Sequence, residues 1–194
     1  MIKYLAGVLL LCCLTSGFAQ GEKWSVEVHF PITLDNNFVG SNFNGVLGIG
    51  SSYRFVQTGS INVGAGLYLG LLTDPRNREF GADFSANAFY IQPNGIVELQ
   101  LDQLGDFRPS LGVGLSVFTF SSQQSISDFE LNNVPETQVG FNISTGLAYF
   151  ISTRFFIQAI YDFTALAPDD DVPDNDFNSN VNLLNVGVGY RFGR

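Results

Sequence analysis

The feature that most constrains this chain is a two-residue alternation of apolar and small polar side chains. In Ser60–Leu72, SINVGAGLYLGLL, the residues Ile61, Val63, Ala65, Leu67, Leu69 and Leu71 are apolar, and those between are mostly Gly, Asn or Ser. Successive side chains of a strand point to opposite faces, so this stretch reads as a strand with one greasy face and one small, polar face. At least five other stretches repeat the pattern. The expected fold is all-β, an eight-stranded antiparallel up-and-down transmembrane β-barrel.

A soluble barrel turns its apolar face inward and a membrane barrel turns it to lipid; the other face decides between them. Water-exposed faces carry many charges, and soluble proteins run about 25% charged. This chain is 14% charged, and Lys23 is its only lysine beyond Lys3. Opposite Leu67 lie Asn62, Gly64, Gly66 and Tyr68, which suit a crowded interior better than bulk water. A soluble, lipocalin-like carrier would need the reverse arrangement and a Gly-x-Trp start, whereas Gly21 and Trp24 stand one residue too far apart.

Residues 1–20 read as a signal peptide: Lys3 gives the positive end, Tyr4 to Leu14 the apolar run, and Gly17-Phe18-Ala19 the small-residue cleavage pattern. A lipid anchor on Cys12 or Cys13 fits poorly, because Leu11 or Cys12 precedes it where a small residue is expected. Cleavage removes both cysteines, so no disulfide or thiol metal site is expected. Residues 21–194 then form one barrel domain. Without Lys3 its formal charge is 8 basic minus 18 acidic, or −10, which argues against nucleic acid as a partner. No later run approaches the roughly 18 apolar residues of a transmembrane helix, and a closed barrel is the other way to pair every backbone group in lipid.

The expected strands run Lys23–Ile32, Gly45–Phe55, Ser60–Leu72, a fourth between Ala82 and Leu101, Phe107–Phe120, Thr137–Phe150, Arg154–Thr164 and Val181–Phe192. In the fourth, even positions are apolar up to Tyr90 and odd ones from Val97. The phase flips at Gln92-Pro93-Asn94-Gly95, either as a turn, giving nine strands, or as a bulge in one strand. Single-chain bacterial barrels have even counts, so the bulge is preferred. Thr33–Asn44 and Ser121–Glu136 read as polar loops. Connections alternate: those after strands one, three, five and seven are long or polar, while Val56–Gly59, Leu104–Asp106 and Ile151–Thr153 are tight. Short turns are periplasmic in such barrels, and Tyr53, Phe55, Phe107, Tyr149, Phe155, Tyr190 and Phe192 gather there as an interfacial girdle.

The GDFRPSLGVGLSVF segment, the GLAYFISTRFFIQAIYDF hairpin and the closing NVGVGYRF resemble the small bacterial outer-membrane β-barrel domain family, akin to OmpX and the OmpA barrel. The resemblance spans nearly all of residues 21–194. It implies residence in the cell outer membrane, contact with outer-membrane lipid, insertion by the barrel-assembly machinery, and external loops that meet an unknown extracellular ligand. Relatives tend to carry a proline midway along strand four, as Pro93 does here, and to end on an aromatic residue; here Phe192 is followed by Gly193 and Arg194.

The inward phase collects Glu27, His29, Arg54, Glu98, Asp102, Arg108, Asp162 and Arg191. An eight-stranded barrel is only wide enough for side chains to fill, and shielded charges must be paired, so an internal salt-bridge network that plugs the lumen is expected, and a wide diffusion channel is not. No cofactor and no catalytic residue is expected. The enzyme alternative resembles lipid-A-modifying barrels, which use a Ser-His-acid set: Glu27 shares the face of His29, yet Pro31 stands where the deacylase pattern has serine. The last long connection, APDDDVPDNDFNSN, offers Asp169, Asp171, Asp174 and Asp176 as hard ligands for calcium. It lacks the glycine and distal glutamate of an EF-hand, so a solvated loop is the default.

Overall fold

A computed structural model describes residues 23–74, 83–126, 129–132, 135–167 and 175–192. Its strands are β1 (Trp24–Leu34), β2 (Asn44–Thr58), β3 (Ile61–Thr73), β4 (Asp83–Leu99), β5 (Phe107–Ile126), the short β6 (Phe129–Asn132), β7 (Glu136–Phe150), β8 (Phe155–Ala167) and β9 (Asn180–Phe192). Two short helices, α1 (Phe38–Asn42) and α2 (Asp176–Ser179), sit in the first and last long connections. Each wall strand pairs antiparallel with its sequence neighbours, β5 passing directly to β7. β1 closes the circle on β9 from Trp24↔Phe192 to Leu34↔Asn182. Eight strands therefore form an up-and-down barrel, with β6 folded back on the end of β5 as an extension of its hairpin.

Alternation fixes the two faces as the sequence analysis reads them. Leu111 is 62% and Val188 59% exposed on the outside, whereas Ser25, Glu27 and His29 are buried within. This orientation overturns the lipocalin-like alternative, which requires the aliphatic face to line a cavity. Among the described residues no helix is long and apolar enough to cross a membrane. Aromatic rings ring the short-turn end in contact with one another: Trp24–Tyr53 at 5.1 Å, Phe107–Tyr149 at 4.8 Å, Phe155–Tyr190 at 4.9 Å and Tyr190–Phe192 at 4.8 Å.

Three expectations need correction. The fourth strand is single, as preferred, but carries no bulge at Pro93: its register with β3 is unbroken from Ile61↔Leu99 to Thr73↔Asn87. The irregularities fall in β2, between Gly45 and Leu47 and between Arg54 and Val56. The apparent phase flip arises because Ala86, Ala88 and Tyr90 are apolar and still point inward. Pro93, lacking an N–H, interrupts pairing only toward β5, where the ladder skips from Ile91↔Val117 to Asn94↔Gly114. The stretch read as a loop at Ser121–Glu136 is largely strand, because β5 continues to Ile126 and returns through β6. The first connection is not simply polar either. Asn37 caps α1 by accepting from Gly40 N at 2.7 Å, and Val39 and Phe43 are buried. Residues 1–20 lie outside the described residues.

Candidate functional site

The interior is stacked in layers along the barrel axis. Nearest the short turns, Arg54 comes from the end of β2, Glu98 from the end of β4 and Arg191 from the end of β9. Arg54 Nη2 and Arg191 Nη2 each donate to Glu98 Oε2 at 2.7 Å. Arg54 Nε adds a bond to Glu98 Oε1 at 3.3 Å, and Asn62 Nδ2 another at 3.0 Å. Arg54 Nη1 reaches Ser25 Oγ at 3.1 Å, and Ser25 meets Ser52 at 2.7 Å. The Arg191 guanidinium also lies 4.4 Å from the Phe150 ring centroid, a cation–π contact strengthened by burial. Space left in this layer amounts to about 40 Å³, room for no more than a few waters.

The middle layer combines two carboxylates and a histidine with neutral polar side chains. Glu27 Oε1 lies 3.4 Å from His29 Nδ1 on the same strand face. His29 Nε2 and Tyr90 Oη are 3.4 Å apart, and Tyr90 Oη donates to Asn185 Oδ1 at 3.3 Å. Asn185 in turn donates to Asp162, which also accepts from Asn142 at 3.5 Å. Gln92, Ser116 and Thr164 complete the layer: Gln92 Nε2 donates to Ser116 Oγ at 3.0 Å, and the two hydroxyls are 3.1 Å apart. Glycine makes the large rings possible here. A Cβ at Gly48 would collide with the His29 imidazole, and one at Gly70 with the Tyr90 ring.

Above Tyr90, toward the long connections, the interior turns apolar. Leu72, Ala88, Phe118, Leu166, Val181 and Leu183 are buried together with Val39 and Phe43, which α1 lowers into the mouth. Rings run outward in sequence: Tyr90–Phe118 at 5.3 Å, Phe118–Phe120 at 6.0 Å, Phe120–Phe38 at 5.8 Å and Phe38–Phe177 at 6.5 Å. Phe177 belongs to α2, so the first and last connections meet over the opening. A hydrogen bond from Asn182 Nδ2 to Asp35 Oδ2 at 2.6 Å ties the same two regions.

Comparison with known proteins follows the geometry. The model of the "Outer membrane protein beta-barrel domain" family matches residues 5–192. The chain belongs to that family. Its solved structural neighbours include Ail, the attachment invasion locus protein of Yersinia pestis, in complex with the heparin analogue sucrose octasulfate. That likeness has 14% identity and a TM-score of 0.57, covering 88% of this chain and 97% of Ail. Neisserial surface protein A matches at 14% identity and TM-score 0.56, covering 87% and 97%. The outer membrane protein OprG from Pseudomonas aeruginosa matches at 10% identity and TM-score 0.52, covering 91% and 100%. No curated protein matches in sequence. At these identities the neighbours establish the fold, and the family establishes an outer-membrane β-barrel.

Of the residues expected in the lumen, the barrel brings Arg54, Glu98 and Arg191 into one cluster and Glu27, His29 and Asp162 into the layer above. Asp102 does not belong: β4 ends at Leu99, and Asp102 opens a 3₁₀ turn, Asp102–Leu104, where it is exposed. Arg108 stands at the rim of the first cluster: half-buried, it lines the same interior space as Arg54, Glu98 and Arg191, and its Nη1 donates to the Gly105 and Phe107 carbonyl oxygens. Asp176 is exposed in the first turn of α2. Asp169, Asp171 and Asp174 lie outside the described residues, and among the described residues no group of three or more His, Cys, Asp and Glu side chains could hold a metal. Asn142 is fully buried in the lumen. The apolar layer is what sequence reasoning missed. Its signal was present, since near the long connections Leu72, Ala86, Ala88, Phe118 and Leu166 are apolar on the inward phase.

Proposed function

We propose that the protein is a non-conducting outer-membrane barrel with a structural or surface-interaction role, its lumen plugged by its own side chains. On this reading the chain is exported behind a leader at residues 1–20 and inserted by the barrel-assembly machinery. The short turns then face the periplasm and the long connections face the exterior. One observation carries the proposal: the interior is occupied at both ends by layers of opposite chemistry, the Arg54–Glu98–Arg191 cluster and the apolar group around Phe118, with hydrogen-bonded polar side chains between them. Ions would need to displace both. Reconstitution into planar lipid bilayers tests it: the expected trace shows no stepwise openings under applied voltage, and regular single-channel steps would overturn the reading.

Charge speaks to the class of partner. The outer connections hold Arg76 and Arg78 against Asp35, Asp74, Glu79, Asp128, Glu130, Glu136 and the aspartates from Asp169 to Asp176. A sulfated polyanion, of the kind bound by Ail, meets repulsion there; a cationic partner meets attraction. The lipid-A-modifying alternative gains no support from the position of His29, which is 3% exposed inside the lumen rather than turned to lipid.

A further inference from the structure

The outer wall is not uniformly ridged. A groove of about 520 Å³ crosses it near the short-turn end, running from β3 over β2, β1 and β9 to β8. It lies between two cross-strand rows of side chains. Val28 and Val188 stand on one side; on the other the register aligns Leu67, Ser51, Val26 and Tyr190. Ser51 is the small residue in its row, so the wall is lowest there, and Gly50 and Ser51 are among the residues that line the groove. Five strands are four spacings of ~4.8 Å, so the groove is roughly 19 Å long. One leaflet of hydrocarbon is about 15 Å deep, so a single acyl chain is the right length to fill it.

The end of the groove carries a cation. Tyr190 and Phe155 line it there, and Arg154 Nη1 donates to Tyr190 Oη at 3.0 Å. Among the described residues all five basic side chains, Lys23, Arg54, Arg108, Arg154 and Arg191, belong to this end of the barrel. Arg54 and Arg191 are spent on Glu98 in the lumen, and Arg108 turns back on the carbonyls of its own turn. Arg154 is exposed and held against an outward-facing tyrosine, at the level where the aromatic girdle marks the edge of the hydrocarbon. Arginine is well matched to phosphate oxygens.

We propose that this groove and Arg154 form a binding site for one phospholipid of the periplasmic leaflet, with an acyl chain along Ser51 and the phosphate on Arg154. The inference rests on the outer-membrane reading and adds a discrete site to it. Filling the groove excludes the chain, and removing the cation releases the headgroup. Neither change touches a buried contact, since Ser51 faces outward and Arg154 is exposed.

Native mass spectrometry of the full barrel folded in detergent micelles, with dioleoyl-phosphatidylglycerol added, tests this. The wild type is expected to retain one phospholipid. Arg154→Gln should weaken retention about tenfold, the scale of losing one charge-assisted hydrogen bond, and Ser51→Leu should abolish it. Ala159→Leu, a comparable enlargement on the outer face of β8 away from the groove, should leave it unchanged. Dioleoylglycerol, which has the chains without the phosphate, should compete poorly. Equal retention by all variants, equal loss in Ala159→Leu, or full competition by dioleoylglycerol would overturn the site. A folded barrel is recognised by its shifted gel migration before boiling, so loss of that shift in the wild type would strike the membrane reading itself, whereas a normal shift without bound phospholipid would strike only this inference.

Discussion

Toward the short turns the lumen is built on one carboxylate shared by two guanidiniums, Glu98 with Arg54 and Arg191; toward the long connections it is built on Leu72, Phe118, Val181 and Leu183, each under 2% exposed. The turns at the first end are a few residues long and cannot fold over the opening. Side chains rooted on the strands must therefore fill it, and those near water can be charged provided they are paired. At the other end α1 and α2 meet above the opening through Phe38 and Phe177. Apolar side chains then gain from burial as they would in any core. The chemistry of each end of the lumen matches what covers it.

Breaking the charged layer should have the largest effect. Glu98→Ala strands two buried guanidiniums without their carboxylate and should cost about 4 kcal/mol, read from denaturant unfolding of the barrel in detergent. Breaking the apolar layer comes next: Leu72→Ala should cost about 3 kcal/mol through lost contacts and a residual cavity, read by the same unfolding. The two sites share no partner, so the double variant should lose the sum of both within about 0.5 kcal/mol. A larger departure would mean that the layers act as one unit. Asn37→Ala should cost about 1 kcal/mol by removing the cap of α1, and should loosen the apolar layer alone, seen as faster amide exchange at Val39 and Phe43 with Glu98 unaffected. Smallest of all, Arg54→Met, Glu98→Leu and Arg191→Met together should leave stability nearly unchanged, because an apolar filling of similar volume avoids the desolvation of three charges. A steep loss in that triple variant would show that the cluster is needed to specify the barrel and not merely to fill it.

The legible part of this molecule was whatever strand alternation could report. Seven of the eight expected lumen residues line the interior, Arg108 at its rim, because each lies on the inward phase of a strand. Asp102 fails for an end effect: phase is meaningless once the strand has stopped. Pro93 misled for a different reason. Its neighbours are apolar on two phases, and a bulge is the economical explanation only for an interior that is polar throughout. The short helix α1 was hidden because five residues are too few to show a helical period, although Phe38, Val39 and Phe43 were visible as apolar residues in a polar stretch.

By itself, the sequence determined the closed antiparallel barrel, its inside and outside, and the aromatic girdle, because these follow from side-chain parity and from the need to pair every backbone group. Only the tertiary structure decided which interior groups meet. The contacts of Glu98 with Arg54 and Arg191 span 44 and 93 residues of chain, and their partnership depends on strand stagger, which parity does not record. The same is true of Arg154 beside Tyr190 and of the shallow row at Ser51, since a groove across five strands exists only once their registers are set.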